Sequence, residues 1–368
     1  MGRAWIWLCL IAAPAAADPI TSRDYAIELY EGVAIGDSSQ TGMGGAGSAR
    51  LVGSAGALSN ASAPAVRKAT DNDRWSWDYH LDFLTGRYSS DYDNNGTAVE
   101  EGGASLATLG GSLRVGTWAF AITLTAQTAP IDGTMDPKLR ASVLRTKLVI
   151  AKWFAATDIA LGIGTVPVRF AISTDVENEA GEDLFAITGA GLAVGATWVP
   201  RGQSFRLAAA AESRILSSEV ATQTCDPMNC QGHMLPEEIV SPGRTILGMA
   251  YRWGPTPWNQ QVPARFRDEA SVTLAADLVI TGSSTNGNGI EAFGRNELQP
   301  SGRDYAFSPR AGAEVEALPG RLRIRGGSYW EPGRFEGVGG RIHGTFGFDL
   351  RALEFRLWGI RRGRLGAT

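Results

Sequence analysis

Histidine and cysteine are almost missing: the 368 residues hold three of each. His80, His233 and His343 show no visible Ser–His–acid spacing, and no Gly-x-Ser-x-Gly elbow occurs. No catalytic residue, resident metal or cofactor is expected, and the chain reads as a non-enzyme. An excess of one charge is lacking too. The 34 basic residues are scattered singly among 38 acidic ones, which excludes a nucleic-acid footprint and a nucleic-acid partner. Long apolar runs are absent beyond the N-terminus. The longest, Asp183–Val199, is interrupted by Gly189, Gly191 and Gly195, so no helix is expected to cross a membrane.

What is present begins with a leader. Arg3, the apolar Ala4–Ala13, Pro14 and the small Ala15–Ala17 read as a secretory signal over 1–17, cleaved before Asp18. An exported chain without a spanning helix is either soluble or a β-barrel. Cys9 would leave with the leader. Loss of Arg3 moves the net charge from −4 to −5. Cys225 and Cys230 remain as a disulfide candidate or as two free thiols. With His233 they spell C-x4-C-x2-H, but no fourth metal ligand is evident.

Gln40–Lys68 is dominated by glycine, alanine and serine. It has too few large side chains to build a core of its own, so something must enclose it. Gly42-x-Gly44-x-x-Gly47 matches a dinucleotide-binding pattern. It lacks the preceding hydrophobic strand and the following amphipathic helix that such a site needs.

From Trp75 the pattern changes. Trp75, Trp77, Tyr79, Leu81 and Phe83 alternate with Ser76, Asp78, His80 and Asp82. Period-two alternation makes a strand with one oily and one wet face. It recurs through Trp118–Thr125, Ser204–Glu212, Ile246–Trp253, Val272–Thr281, Arg341–Leu350 and Leu353–Leu357. About thirteen such segments can be counted, most near the ten residues a membrane-crossing strand requires, and an even total near fourteen is expected. Aromatic load at the segment ends suits a membrane interface. Longer polar stretches at Tyr88–Gly103, Gln127–Leu139, Ser217–Glu238, Gly254–Arg267 and Gly282–Asp304 separate shorter connections such as Ala155–Thr157 and Pro200–Gln203. Long loops on one side and tight turns on the other are expected.

The hairpin Arg310–Trp330 puts charges on one face. With Ala317–Gly320 as the turn, Glu316 faces Arg321 and Glu314 faces Arg323, which stabilises both strands. The opposite face, with Ala311, Ala313, Val315, Leu322 and Ile324, is apolar. Asp91-x-Asp93-x-Asn95-Gly96 opens like a calcium loop, but position twelve is Gly102 and the nearby acids are Glu100 and Glu101. An exposed hairpin loop is the favoured reading over a calcium site.

The ordered set of short motifs resembles the FadL/TodX family of long-chain fatty-acid transporters and its PorV-like relatives. Thr41–Ala49 (T-G-M-G-G-A-G-S-A) is similar to the family's hatch motif. Gly56–Ala65 is similar to its Asn-Pro-Ala segment, except that Asn60 and Pro64-Ala65 are separated here. Ser241–Arg252, Arg310–Pro332 and Gly339–Phe348 match later strands. The resemblance implies an all-β transmembrane antiparallel barrel of about fourteen strands over 71–368. The segment 18–70 would be a lead-in and a hatch inside the lumen, with hatch residues Gly42, Gly44, Gly45, Gly47, Asn60 and Pro64. It implies a bacterial outer-membrane location, outer-membrane lipid as surroundings, the barrel assembly machinery as a partner in biogenesis, and passive uptake of hydrophobic small molecules such as long-chain fatty acids. A PorV-like structural or secretion role without transport is the alternative. Arg145, Lys147, Arg321, Arg323 and Arg325 are lumen candidates for an acidic head group, with Glu314, Glu316 and His343 beside them. Internal pairing of these charges is the favoured reading. The ending R-R-G-R-L-G-A-T leaves Trp358 as the effective aromatic terminus.

Overall fold

The computed structural model describes residues 18–29, 36–91, 93–96, 99–131, 138–175, 183–217, 220, 225–263, 266–357 and 361–367. The expected leader, 1–17, and Trp358 lie outside them. One antiparallel sheet dominates. Its thirteen described strands are β1 (Trp75–Ser90), β2 (Val99–Val115), β3 (Trp118–Ile131), β4 (Lys138–Phe154), β5 (Ile159–Asp175), β6 (Asp183–Trp198), β7 (Phe205–Glu212), β8 (Arg244–Trp253), β9 (Val272–Thr281), β10 (Ala306–Leu318), β11 (Leu322–Glu331), β12 (Arg341–Leu357) and β13 (Arg361–Ala367). Each pairs with its neighbours in sequence, and β1 and β13 are the outer members. Among the described residues no helix is long and apolar enough to cross a membrane.

The alternation sorts as the period demands. On β1, Tyr79 and Leu81 are each 72% exposed, while Asp78 and Asp82 turn to the other face and bond the chain there. On β12, Ile342 and Phe346 are exposed at 74% and 72%. The outward face is therefore oily along strand after strand: Leu109, Ile122, Leu148, Ile163, Leu192, Leu247 and Met249 all lie on it. A water-soluble protein seldom presents so much contiguous apolar surface. Trp75, Trp118, Trp198 and Trp253 cluster on this face beside the tight turns. The Lys152 ammonium sits over the Trp118 ring, 4.7 Å from its centre.

The sheet curls strongly. The four-residue helix α1 (Ser38–Thr41) touches both β1 and β12: the Ser38 hydroxyl donates to Asp82 on β1, and Gly42 lies against the backbone of Gly347 on β12. The polar face is the concave one. It encloses residues 36–68, which form α1, a second short helix α2 (Gly53–Ala57) and a 3-10 turn (Ala63–Ala65).

The long-loop end carries a cap that sequence patterning does not reveal. Ala26–Glu28, read as an irregular lead-in, is the central strand of a small five-stranded sheet. It runs parallel to both Glu238–Ser241 and Gly287–Asn288. Around it Tyr25, Ile27, Phe170, Phe185, Leu235 and Phe293 form an apolar cluster. The helix α3 (Ile290–Gly294) contributes Phe293, whose ring meets Phe185 edge-on at 6.3 Å. Cys225 and Cys230 are bonded to each other here, so a shared metal with His233 is not made.

Two connections depart from the sequence reading. Gly254–Arg267 is long but lies at the tight-turn end, between β8 and β9. It folds back instead of projecting: Val262 N–H donates to the Ala69 carbonyl, and the Arg206 guanidinium stacks on Trp258 at 4.0 Å. The β10–β11 hairpin is shifted by two residues. Glu316 faces Arg323 and Glu314 faces Arg325, with an irregularity between Glu316 and Leu318. The turn closes at Leu318–Arg321, where Arg321 N–H donates to the Leu318 carbonyl. Arg321 is thereby exposed at the turn and leaves the charged wall. A bulge adds a residue to one strand only, which counting back from Pro319-Gly320 cannot anticipate.

Candidate functional site

The Gly-rich segment is held by side chains from the wet face of the sheet. Its backbone N–H groups have too few partners within such short helices, and carboxylates supply them. Gly47 and Ser48 N–H both donate to Asp277 on β9, at 2.9 and 3.0 Å. Ser54 N–H donates to Asp78 on β1 at 2.9 Å. Gly44 N–H donates to the Thr345 hydroxyl on β12 at 2.8 Å. Asn60 is fully buried. Its amide donates to the Ser48 carbonyl and to Thr197 on β6, and its oxygen accepts from Ser62 N–H. Pro64 is the middle residue of the 3-10 turn and is buried.

The four expected glycines are not equivalent. Gly44 and Gly45 have φ of +65° and +78°, where a side chain strains the backbone. A Cβ on Gly44 would also stand 2.6 Å from Ser328 N. Gly42 has an ordinary φ of −62°. At Gly47 an added Cβ would press on the Gln40 and Leu51 side chains at 3.0 Å. The complementary glycines on the sheet were not anticipated. Gly162, Gly195, Gly248, Gly312 and Gly327 all face the segment, and a Cβ on Gly312 would meet Met43 O at 2.5 Å. For two of them a signal was present: Gly162 falls on a wet-face position between outward-facing Leu161 and Ile163, and Gly248 between Leu247 and Met249.

The charged wall is internally paired. Glu212 collects Lys147, Arg145 at 3.4 Å and Arg244 at 2.9 Å. Lys147 also donates to the Leu58 carbonyl of the enclosed segment at 2.9 Å. Glu314 holds Arg325 at 2.6 Å and Arg50 of the segment at 3.4 Å, and Arg325 also pairs with Asp349. Glu316 pairs with Arg323 and, at 3.3 Å, with Arg351. His343 bonds Glu331 at 2.6 Å and stacks on Tyr329. His80 meets the Ser54 hydroxyl at 3.0 Å. Of the residues singled out from sequence, only Arg321 stands apart.

Among the described residues, three spaces border the enclosed segment or the cap. Beneath the cap is a mainly apolar pocket walled by Leu29, Ala129, Ala141, Val143, Ile290 and Phe335, with the buried Glu28–Arg334 pair at its edge. A polar space follows, lined by Arg145, Arg244, Asp277 and Arg310, and Leu29 borders both. Gln40, Gly45, Leu58 and Ser59 of the enclosed segment form part of its wall. Gly53 and Pro64 instead border a third, open space at the tight-turn end, beside Trp75 and Asp78. The Gly-rich segment thus stands between the two.

Comparison with solved structures over most of the chain finds this fold elsewhere. The fold matches a FadL homologue of Pseudomonas aeruginosa at TM-score 0.52 and 12% identity, covering 86% of each chain. It matches the toluene transporter TodX of Pseudomonas putida at 0.50 and 12%, covering 94% of this chain and 93% of that one. It matches the toluene transporter TbuX of Ralstonia pickettii at 0.50 and 13%, covering 87% and 90%. The chain has the fold of the FadL-type transporters, and these neighbours are transport proteins, not enzymes. No family model matches the sequence, and no curated protein does.

Proposed function

We propose that the chain is an outer-membrane barrel that lets small uncharged hydrophobic compounds pass, with residues 36–68 as its hatch. The observation that carries this is the apolar pocket under the cap, set above a partition of small residues. Pockets of this character take apolar solutes with few polar anchors. The pairing of Arg145, Lys147, Arg323 and Arg325 argues against a long-chain fatty acid, whose carboxylate would have to displace Glu212, Glu314 or Glu316. An uncharged aromatic hydrocarbon, the kind of solute named for TodX and TbuX, makes no such demand.

The oily outer face is expected to meet membrane lipid after insertion by the barrel assembly machinery. Arginine at Met249, midway along β8, should then lower stability in phosphocholine vesicles by about 2–4 kcal/mol. Urea titration followed by tryptophan fluorescence reads this. An unchanged midpoint would mean that this face does not contact lipid.

Transport is tested in liposomes carrying the purified chain. Toluene entry should exceed that of protein-free vesicles, and Ala141→Phe, which fills the pocket, should reduce it at least about fivefold while oleate entry stays at background. Absence of toluene entry in the wild type would remove the transport reading and favour a barrel that serves only as a structural partner. Oleate entry comparable with toluene would restore the fatty-acid reading.

A further inference from the structure

The loop after β1 is not the exposed hairpin its sequence suggests. Asn94 and Asn95 are buried, and the loop docks against the cap. Asp91 accepts from Asn95 N–H at 2.8 Å and from Gly96 N–H at 2.9 Å, so the D-x-D-x-N-G stretch closes a tight turn on its own first carboxylate. This brings Asp91 and Asp93 to Glu291, in the first turn of α3. One carboxylate oxygen from each of the three lies within 4.8 Å of the others. Glu291 is 1% exposed.

Three acids so close repel one another unless something positive joins them. Two nearby arginines have their closest carboxylate partners outside the trio. Arg341 pairs with Glu331 at 2.5 Å and reaches the Asp91 carboxylate only at 4.0 Å, while Arg295 pairs with Glu297 at 3.0 Å. A second observation points to a ligand. Both carboxylate oxygens of Asp93 are closed off from solvent, yet neither makes a hydrogen bond of ordinary geometry. The backbone N–H groups of Glu291 and Asn95 favour its charge only as weak, poorly aligned donors. Burial, with Asp91 beside it, pushes the Asp93 carboxyl up to about 7. An unsatisfied buried carboxylate is costly. Glu291 already accepts from the Asn95 amide at 3.1 Å, and a hard divalent cation would give Asp93 the partner it lacks while joining it to the other two acids.

We propose that Asp91, Asp93 and Glu291 form a calcium site that pins the loop after β1 to the cap helix α3. The Asp-x-Asp pair provides the opening half of a calcium loop. The closing glutamate, missing at position twelve, comes instead from Glu291 across the fold. Oxygen-only ligands on two separate loops suit the larger, geometrically tolerant Ca2+ better than Mg2+, which demands a near-ideal octahedron. Asp93 also lines the apolar pocket, so the ion would stiffen one wall of it.

The full chain, purified in detergent and stripped with EDTA, is titrated with CaCl2 in a calorimeter. One Ca2+ per chain is expected, with a Kd of about 1 mM or tighter, in the range of extracellular calcium modules. Ca2+ should also slow protease cleavage within 91–98 at least about tenfold, and Mg2+ at the same concentration should not. Asp93→Asn and Glu291→Gln should each lose both effects while keeping the heat-modifiable gel migration of a folded barrel. No Ca2+ response in the wild type, an equal response to Mg2+, or full binding in both variants would overturn the proposal. Should the variants fail to fold, a calcium-soaked crystal of the wild type decides. Anomalous density among the three carboxylates supports the site, and its absence there refutes it.

Discussion

Valine at Gly327 is expected to dislodge residues 42–48 from the sheet. A Cβ on Gly327 would already stand 2.7 Å from Met43 O, and no flexible side chain there can yield, because the obstacle is backbone. Overpacking of this kind costs about 3 kcal/mol, enough to shift a held segment toward its released state. Gly344, on the neighbouring strand β12, is the control: an added Cβ there meets nothing within 4 Å. In liposome swelling, Gly327→Val should admit a small sugar at least about tenfold faster than the wild type, and Gly344→Val should not. If Gly327→Val will not fold, Gly162→Val, which collides with Ala61 at another point of the same segment, takes its place. Sugar permeation at the wild-type rate in both would mean that the segment is no hatch.

Alanine at Glu212 should produce the largest loss of stability among single charge removals. Glu212 is the shared partner of Lys147, Arg145 and Arg244, and the Lys147 side chain is 4% exposed. Removing the acid leaves a buried ammonium facing two guanidinium groups. Breaking a buried pair from one side costs about 3–5 kcal/mol. The exposed Arg201–Asp158 pair is the contrast, since Asp158→Ala should cost no more than about 1 kcal/mol. Urea midpoints in vesicles measure both. Lys147→Met added to Glu212→Ala should recover part of the loss, because it removes the uncompensated charge. Equal midpoints for Glu212→Ala and Asp158→Ala would show that water reaches the wall freely.

Much of the strand content was legible beforehand because alternation is a local, period-two property. Trp75–Phe83 needs no tertiary partner to declare one oily and one wet face. That the Gly-rich segment is enclosed was legible too, since small residues without a core of their own must pack inside something else. What could not be read were the partners. Asp277 and Thr197 look like any other wet-face residues until the segment is laid against them. Ala26–Glu28 shows no strand pattern because its two neighbours lie more than two hundred residues further along the chain.

Register and junctions were decided only by the tertiary structure. The charges of the β10–β11 hairpin were assigned to one face from sequence, but the turn lies one residue later than expected, so Glu316 faces Arg323 and Arg321 falls in the turn. The acid proposed to close the Asp91–Gly96 loop, Glu291, could not be read from the sequence because it lies beyond eight intervening strands of the main sheet. The sequence by itself determined which face of each ribbon is oily, because side-chain direction follows from the backbone period. Only the folded chain determined which acid meets which base and which glycine meets which backbone, because those depend on how distant strands are staggered.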